Sequence, residues 1–159
     1  LKSGNQTSYR IRAVKLADSQ LIQRYLWTHL RFEQVIERLK RVQHLTNQER
    51  GGGIVVMNTG GTPPIVAYGQ LTRWTQCAEI SDLIVLETHR RQGIGTMMIR
   101  YLMDMGRNMG LSCAEIGVAE SNLLALSLYR RLGFEDSYTV QANLGNGEET
   151  VIYLRKTIS

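Results

Sequence analysis

Ala78-Glu79-Ile80-Ser81-Asp82-Leu83-Ile84-Val85, followed closely by Arg90-Arg91-Gln92-Gly93-Ile94-Gly95-Thr96, is the stretch on which the fold turns. The first half alternates apolar and polar residues and then becomes fully apolar, the pattern of a strand. The second half opens a helix whose apolar face, Ile94, Met98, Leu102, Met105 and Met109, recurs at helical spacing, and Gly110 closes it. Cys113 to Val118 reads as the next strand. Two strands joined through a helix lie parallel with a right-handed crossover, so an α/β protein is expected.

Working outward toward the N-terminus, Tyr9 to Val14 is expected to form a first strand, after which Asp18 can cap a helix through Leu21, Ile22, Tyr25 and Leu26. Phe32, Val35, Ile36, Leu39 and Val42 mark a second helix, which ends by Asn47. Gly51, Gly52 and Gly53 lead into a strand rather than a helix, so they are read as flexible linkage and not as a phosphate loop. Ile54 to Met57 and Ile65 to Arg73 are strands on either side of a tight connection at Asn58 to Pro64. Toward the C-terminus, Ser121 or Asn122 caps a helix running through Arg131, Gly133 supplies its left-handed end, and Phe134 packs back. Tyr138 to Lys156 reads as a hairpin around Gly145-Asn146-Gly147. With no repeat or internal linker apparent, residues 1–159 are expected to form one domain.

The 159 residues carry a net charge of +5, with 43% hydrophobic and 21% charged side chains and only two prolines, which excludes a disordered or fibrous chain. No apolar run is long enough to span a bilayer, and the opening residues lack the apolar core of a signal peptide, so a cytoplasmic location is expected. The basic excess is concentrated at residues 1–50, which carry +6, whereas residues 51–120 carry −1 and the remainder is neutral. There it alternates with Glu33, Glu37 and Glu49 as on a solvated helix face, and nucleic-acid binding is not expected. Cys77 and Cys113 have neither the number nor the spacing of a disulfide framework or zinc site and are read as two small buried hydrophobes. No cluster of His, Cys, Asp or Glu has ligand spacing, so no metal is expected.

Arg90 to Thr96 combines the features of a phosphate cradle. The first backbone N–H groups of a helix lack intrahelical partners and sit at the positive end of its dipole, so a diphosphate can accept several hydrogen bonds there. A side chain at Gly93 or Gly95 would stand between the phosphate oxygens and those amides, while Arg90 and Arg91 add charge and Thr96 a hydroxyl. The loop lacks the Lys-Ser/Thr of a Walker loop and the third glycine of the dinucleotide fingerprint. Downstream, Asn122, Ala125 and Tyr129 fall on one face of one helix.

The R-x-x-G-x-G loop at Arg90 to Gly95 and the run N-x-x-A-x-x-x-Y-x-x-x-G-F at Asn122 to Phe134 together resemble the GNAT superfamily of N-acetyltransferases. The similarity covers roughly Ala78 to Phe134. It implies a single-domain GNAT-type acyl-CoA N-acyltransferase fold: a mixed sheet with helices on both faces, splayed between its fourth and fifth strands to admit acetyl-CoA. It further implies that Leu83, Ile84 and Val85 present backbone groups to the pantetheine arm as if it were an added strand. Arg90, Arg91, Gln92, Gly93, Ile94, Gly95 and Thr96 would then hold the pyrophosphate, Asn122 would bond the pantetheine, and Tyr129 would point its hydroxyl at the thioester sulfur. Glu87 stands where many members have proline and Arg91 where many have glycine, which leaves the two essential glycines in place.

The implied reaction is direct acetyl transfer to a primary amine. An amine with a pKa near 10.4 is almost wholly protonated at neutral pH, so a base must take its proton, and a hydroxyl beside the sulfur can serve the leaving thiolate. Glu79, whose spacing before the loop is similar to that of the general base in the family's histone acetyltransferases, is the expected base, with Asp82 as the alternate; Tyr129 is the expected acid. His29, His44 and His89 are dispersed, and only His89 adjoins the loop. The acceptor is not specified, although the charge of residues 1–50 disfavours a strongly cationic one if those side chains face the cleft. A homodimer is compatible with the sequence. Two other readings are an acyl-CoA-binding regulatory module without turnover and a small basic nucleic-acid-binding domain.

Overall fold

The computed structural model describes residues 8–145 and 147–159. Its elements are β1 (Ser8–Ala13), α1 (Ser19–Tyr25), α2 (Phe32–Asn47), β2 (Gly51–Thr59), β3 (Ile65–Arg73), β4 (Cys77–Val85), α3 (Ile94–Asn108), β5 (Cys113–Ala119), α4 (Leu123–Arg131), β6 (Glu135–Asn143) and β7 (Glu148–Thr157). The strands form one mixed sheet in the order β1-β2-β3-β4-β5-β7-β6, and only β4 and β5 pair in parallel. The helical connection at residues 94–108 therefore makes the expected crossover. A second helical connection, α4, carries the chain past β7, so β6 forms the edge and β7 returns between it and β5. The expected hairpin is present as β6 and β7, and Asn146 at its tip lies outside the described residues. No helix among the described residues is long and apolar enough to cross a membrane.

Two apolar layers sandwich the sheet. Met98, Ile99 and Leu102 of α3 are fully buried against Val56, Ala67, Ile80, Ala114, Ile116 and Leu154. On the other face, Ile22 and Leu26 from the α1 segment and Val35 and Leu39 from α2 close over Val55, Ile65 and Tyr68. Each such burial stabilises by roughly 1.5–3 kcal/mol, which holds the helices in place. Phe32, at the first turn of α2, is exposed despite its place in the apolar stripe.

Three expectations require correction. Gly51, Gly52 and Gly53 are ordered members of β2, paired with Thr72, Leu71 and Gln70. A Cβ at Gly53 would lie 2.7 Å from the Tyr68 hydroxyl and 2.9 Å from both Val14 and Val42, so glycine here serves close packing rather than looseness. Asp18 does not cap α1 through its side chain. A 3-10 turn at Leu16–Asp18 precedes the helix, and the carboxylate accepts from Lys15 N (2.8 Å) and from the Arg12 guanidinium (2.7 and 2.8 Å). Burial works to raise its pKa, and these hydrogen bonds outweigh that and hold it below the usual carboxylate value. Cys77 and Cys113 are half-buried and joined as a disulfide, with 4.5 Å between their Cα atoms.

The disulfide follows from a coincidence of sequence that periodicity alone does not reveal. Cys-Ala-Glu-Ile occurs at 77–80 and again at 113–116, and the parallel register sets the two copies side by side, residue for residue. Register partners in a parallel pair face the same side. Ala78, Ile80, Ala114 and Ile116 thus join the α3 core, while Cys77, Glu79, Cys113 and Glu115 share the opposite face.

Candidate active site

β4 and β5 pair only as far as Ile80 and Ile116. Beyond that point each strand bonds its outer neighbour, β3 or β7, and a wedge opens between them. A β-bulge lies at the start of the opening. Ser81 pairs with Gln70 and Ile84 with Tyr68, so Asp82 and Leu83 together oppose Gly69, and Asp82 takes a left-handed conformation with φ 53°. Aspartate tolerates that region better than most residues. The extra residue shifts the phase of the pleat: Leu83 and Val85 pack on the α3 side and Ile84 on the α1–α2 side, which explains why the end of this strand is apolar throughout. Asp82 and Glu79 are accordingly not related by a regular pleat. The side chains of Leu83, Ile84 and Val85 are committed to packing, and past Ile80 the backbone edge toward β5 makes no ladder bonds.

The loop from Arg90 to Thr96 supplies backbone donors. Backbone hydrogen bonding stops at Arg90 N to Glu87 O (3.3 Å) and resumes at Met97 N to Gly93 O (3.0 Å), so among the described residues the six amides of residues 91–96 donate to no protein acceptor. Gly93 has φ 79°, favourable to glycine, and a Cβ there would meet no atom within 4 Å. Unpaired donors beside open space at Gly93, at the N-terminus of a 15-residue helix, suit a diphosphate. Ile94 is buried and anchors the turn, Gly95 would bring a Cβ to 3.4 Å from Leu128, and Thr96 is half-buried at the helix start. Gln92 accepts from the Tyr9 hydroxyl at 2.6 Å, tying the loop to β1. Arg90 turns its Nε back onto Val85 O (3.1 Å) and so braces the strand end, whereas Arg91, with φ 61°, is exposed.

α4 brings in the other expected contacts. Asn122 caps the helix by accepting from Ala125 N (3.2 Å), which leaves its amide NH2 as the group available to a ligand. Gly133 adopts the expected left-handed conformation, and Phe134 N bonds Tyr129 O at 3.0 Å, pinning the helix end. Tyr129 is buried, its hydroxyl has no partner among the described residues, and that oxygen is not sealed from solvent. Burial raises its pKa, so the hydroxyl stays protonated through neutral pH.

On the sheet face away from α3, two cavities of about 580 and 240 Å³ meet at Glu79. The smaller one opens into the wedge, between Ser81 and Asp82 on β4 and Gly117 to Ala119 on β5. Glu79 Oε2 accepts from the Trp74 indole N–H at 3.0 Å. Glu115, its register partner, would oppose it as a like charge about 4.8 Å away along the sheet, but Arg155 pairs with Glu115 Oε1, its Nε at 3.0 Å. Tyr138 donates to Glu115 Oε2 at 3.4 Å and stacks on Tyr153 with ring centres 4.8 Å apart. Loss of solvation, then the nearby glutamates, raise the pKa of both tyrosines. Trp74, Glu115, Tyr138, Tyr153 and Arg155 were not anticipated from the sequence. The repeated Cys-Ala-Glu-Ile could have revealed Glu115; Trp74 depends on the shape of the turn before β4, and Tyr138, Tyr153 and Arg155 on the pairing of β7 with β5 and β6. His29 and His44 lie outside both cavities, and no metal-ligating cluster occurs among the described residues.

The acetyltransferase (GNAT) family model matches residues 17–134. Over 55 residues the chain is 40% identical to uncharacterized N-acetyltransferase YobR of Bacillus subtilis (strain 168), a match covering 35% of this chain and 22% of that protein. Over 82 residues it is 33% identical to streptothricin acetyltransferase of Streptomyces lavendulae, covering 49% and 43% respectively. The match thus spans less than half the length of either curated relative. The structure of yncA from Salmonella typhimurium, solved with its cofactor acetyl-CoA, shares the fold with a TM-score of 0.77 at 17% identity, over 96% of this chain and 95% of that one.

Proposed function

The chain belongs to the GNAT family of acetyltransferases, and on that premise we propose that residues 1–159 act as one domain that transfers an acetyl group from acetyl-CoA directly to a primary amine. The observation that carries the reading is a wedge with two unlike sides: six unpaired amides lie near its α3 side and an uncompensated carboxylate, Glu79, lies on the other. When bound, acetyl-CoA supplies an acyl group activated as a thioester, with a thiolate as leaving group. The amides of residues 91–96 would hold its pyrophosphate, the unpaired edge of β4 its pantetheine arm, and the Asn122 amide NH2 a carbonyl of that arm.

Proton handling falls to two side chains. Trp74 fixes Glu79 Oε2, which leaves Oε1 to take the proton from the acceptor ammonium before the lone pair can attack. Tyr129 holds its proton because burial raises its pKa, and it offers that O–H to a thiolate whose own pKa is about 8.5 if it resembles cysteine. Its contribution is therefore a hydrogen bond donated to the developing charge, because full transfer from a hydroxyl of raised pKa to such a thiolate runs uphill.

The test is the pH–rate profile of Glu79→Gln, which conserves shape and removes basicity. The rate at neutral pH should fall about 10²-fold and recover partly at high pH, where more of the amine is already neutral. Asp82→Asn, which retains a residue tolerant of the left-handed conformation, should change the rate much less. A Glu79→Gln profile overlaying the parent would assign the proton to another group.

A further inference from the structure

The larger cavity is not needed to hold the reacting amine, which belongs where Glu79 meets the wedge. It continues past Glu79 over Glu115, between the exposed rings of Trp74 and Tyr138, and holds one cation, Arg155. That guanidinium is already committed to Glu115 Oε1, whereas Glu115 Oε2 receives only the long bond from Tyr138 and retains acceptor capacity. Among the described residues, none of the basic side chains of positions 8–50 lines either cavity, so their charge does not oppose a cationic acceptor there. In the larger cavity Glu79 and Glu115 are set against Arg155, and Asp82 adds a second uncompensated negative charge in the adjoining smaller one, so the reacting ammonium offsets one of two. Trp74 and Tyr138 both line this cavity, and although Tyr153 covers one face of Tyr138, aromatic rings so placed attract a cation further.

Resting on the proposed acetyl transfer, the geometry points to an acceptor that carries a second positive charge, seated in the larger cavity between the Trp74 and Tyr138 rings and against Glu115 Oε2. Register sets the spacing: Glu79 and Glu115 are neighbours across one strand pair, so the two cationic groups are separated by a short aliphatic chain.

The experiment compares 1,4-diaminobutane with n-pentylamine, which has a similar length and one charge, and with 4-aminobutanoate, whose far end is anionic, by initial rates of CoA release. The diamine should exceed n-pentylamine in kcat/KM by about tenfold, 4-aminobutanoate should fall below both, and the diamine advantage should shrink as NaCl is raised. Glu115→Gln and Tyr138→Ala should each reduce the diamine-to-pentylamine ratio several-fold; two variants at separate strands guard against one that misfolds. Equal rates for diamine and n-pentylamine, or a preference for 4-aminobutanoate, would overturn the inference. If no amine is acetylated the transferase reading fails, and calorimetric titration of 1,4-diaminobutane into the CoA-bound protein still decides the cation site: saturable binding lost in Glu115→Gln supports it, and no binding overturns it.

Discussion

On the α3 side of the wedge, the expected cofactor groups come from two contiguous stretches, residues 90–96 and 122–134, and the principal donors are backbone amides. On the opposite face, Trp74, Glu79, Glu115, Tyr138, Tyr153 and Arg155 arrive from β4, β5, β6, β7 and the turn before β4, and every contact is made by a side chain. Backbone donors survive most substitutions provided the loop geometry is kept, so the first region can stay constant while the second changes its chemistry. Side-chain contacts assembled across strands can be altered one at a time.

The largest expected effect would break the backbone region. Gly93→Asp places bulk and negative charge in the open space beside the unpaired amides of residues 91–96, and acetyl-CoA affinity should fall at least about a thousandfold, or about 4 kcal/mol. Thermal unfolding provides the reading: the parent should gain roughly 2.7 kcal/mol at a hundred times Kd, the variant almost nothing. Equal gains would remove the cradle from this loop.

Next comes the disulfide that ties β4 to β5 below the wedge, on the face of the side-chain region. Replacing both Cys77 and Cys113 by serine opens a loop of 36 residues and should cost about 3–4 kcal/mol by denaturant titration, with reductant lowering the parent to a similar value. Two titratable thiols in the untreated protein would contradict the pairing.

A finer distinction comes from Tyr129→Phe. If the hydroxyl acts on the leaving sulfur, kcat should drop about 10²-fold with little change in acetyl-CoA affinity. Loss of affinity with turnover preserved at saturation would make it a binding contact only.

The smallest effect serves as a control from a part of the fold that belongs to neither region. Asp18→Asn should lower stability by about 2 kcal/mol at neutral pH and leave acetyl transfer intact. Because the folded pKa of Asp18 is depressed, its contribution is complete above the ordinary value of about 3.9 and disappears as pH falls through the folded value. The stability curves of parent and variant should therefore converge in acid; a constant offset down to the lowest pH would show that the carboxylate charge is not what matters.

Asn122, Tyr129, Gly133 and the loop at Arg90 to Thr96 were legible because helix caps, helix faces and the orphan amides of a helix start depend on residues a few positions apart. Glu79 was legible as an acid in an apolar strand. Its partner Trp74 was not, because the indole reaches it across a turn whose shape no local rule sets.

By itself, the sequence determined which segments form strands and helices, that one strand pair must be parallel, and where a glycine-bearing loop opens the long helix, since each depends on short-range periodicity and on the handedness of the crossover. Only the tertiary structure decided that Gly51 to Gly53 are packed strand, that Asp82 sits in a bulge reversing the pleat, and that the two Cys-Ala-Glu-Ile segments align to join their cysteines and set their glutamates side by side. The physical reason is register: a strand's own residues do not state which neighbour it pairs with or at what offset, and a shift of one residue would send every one of these side chains to the other face.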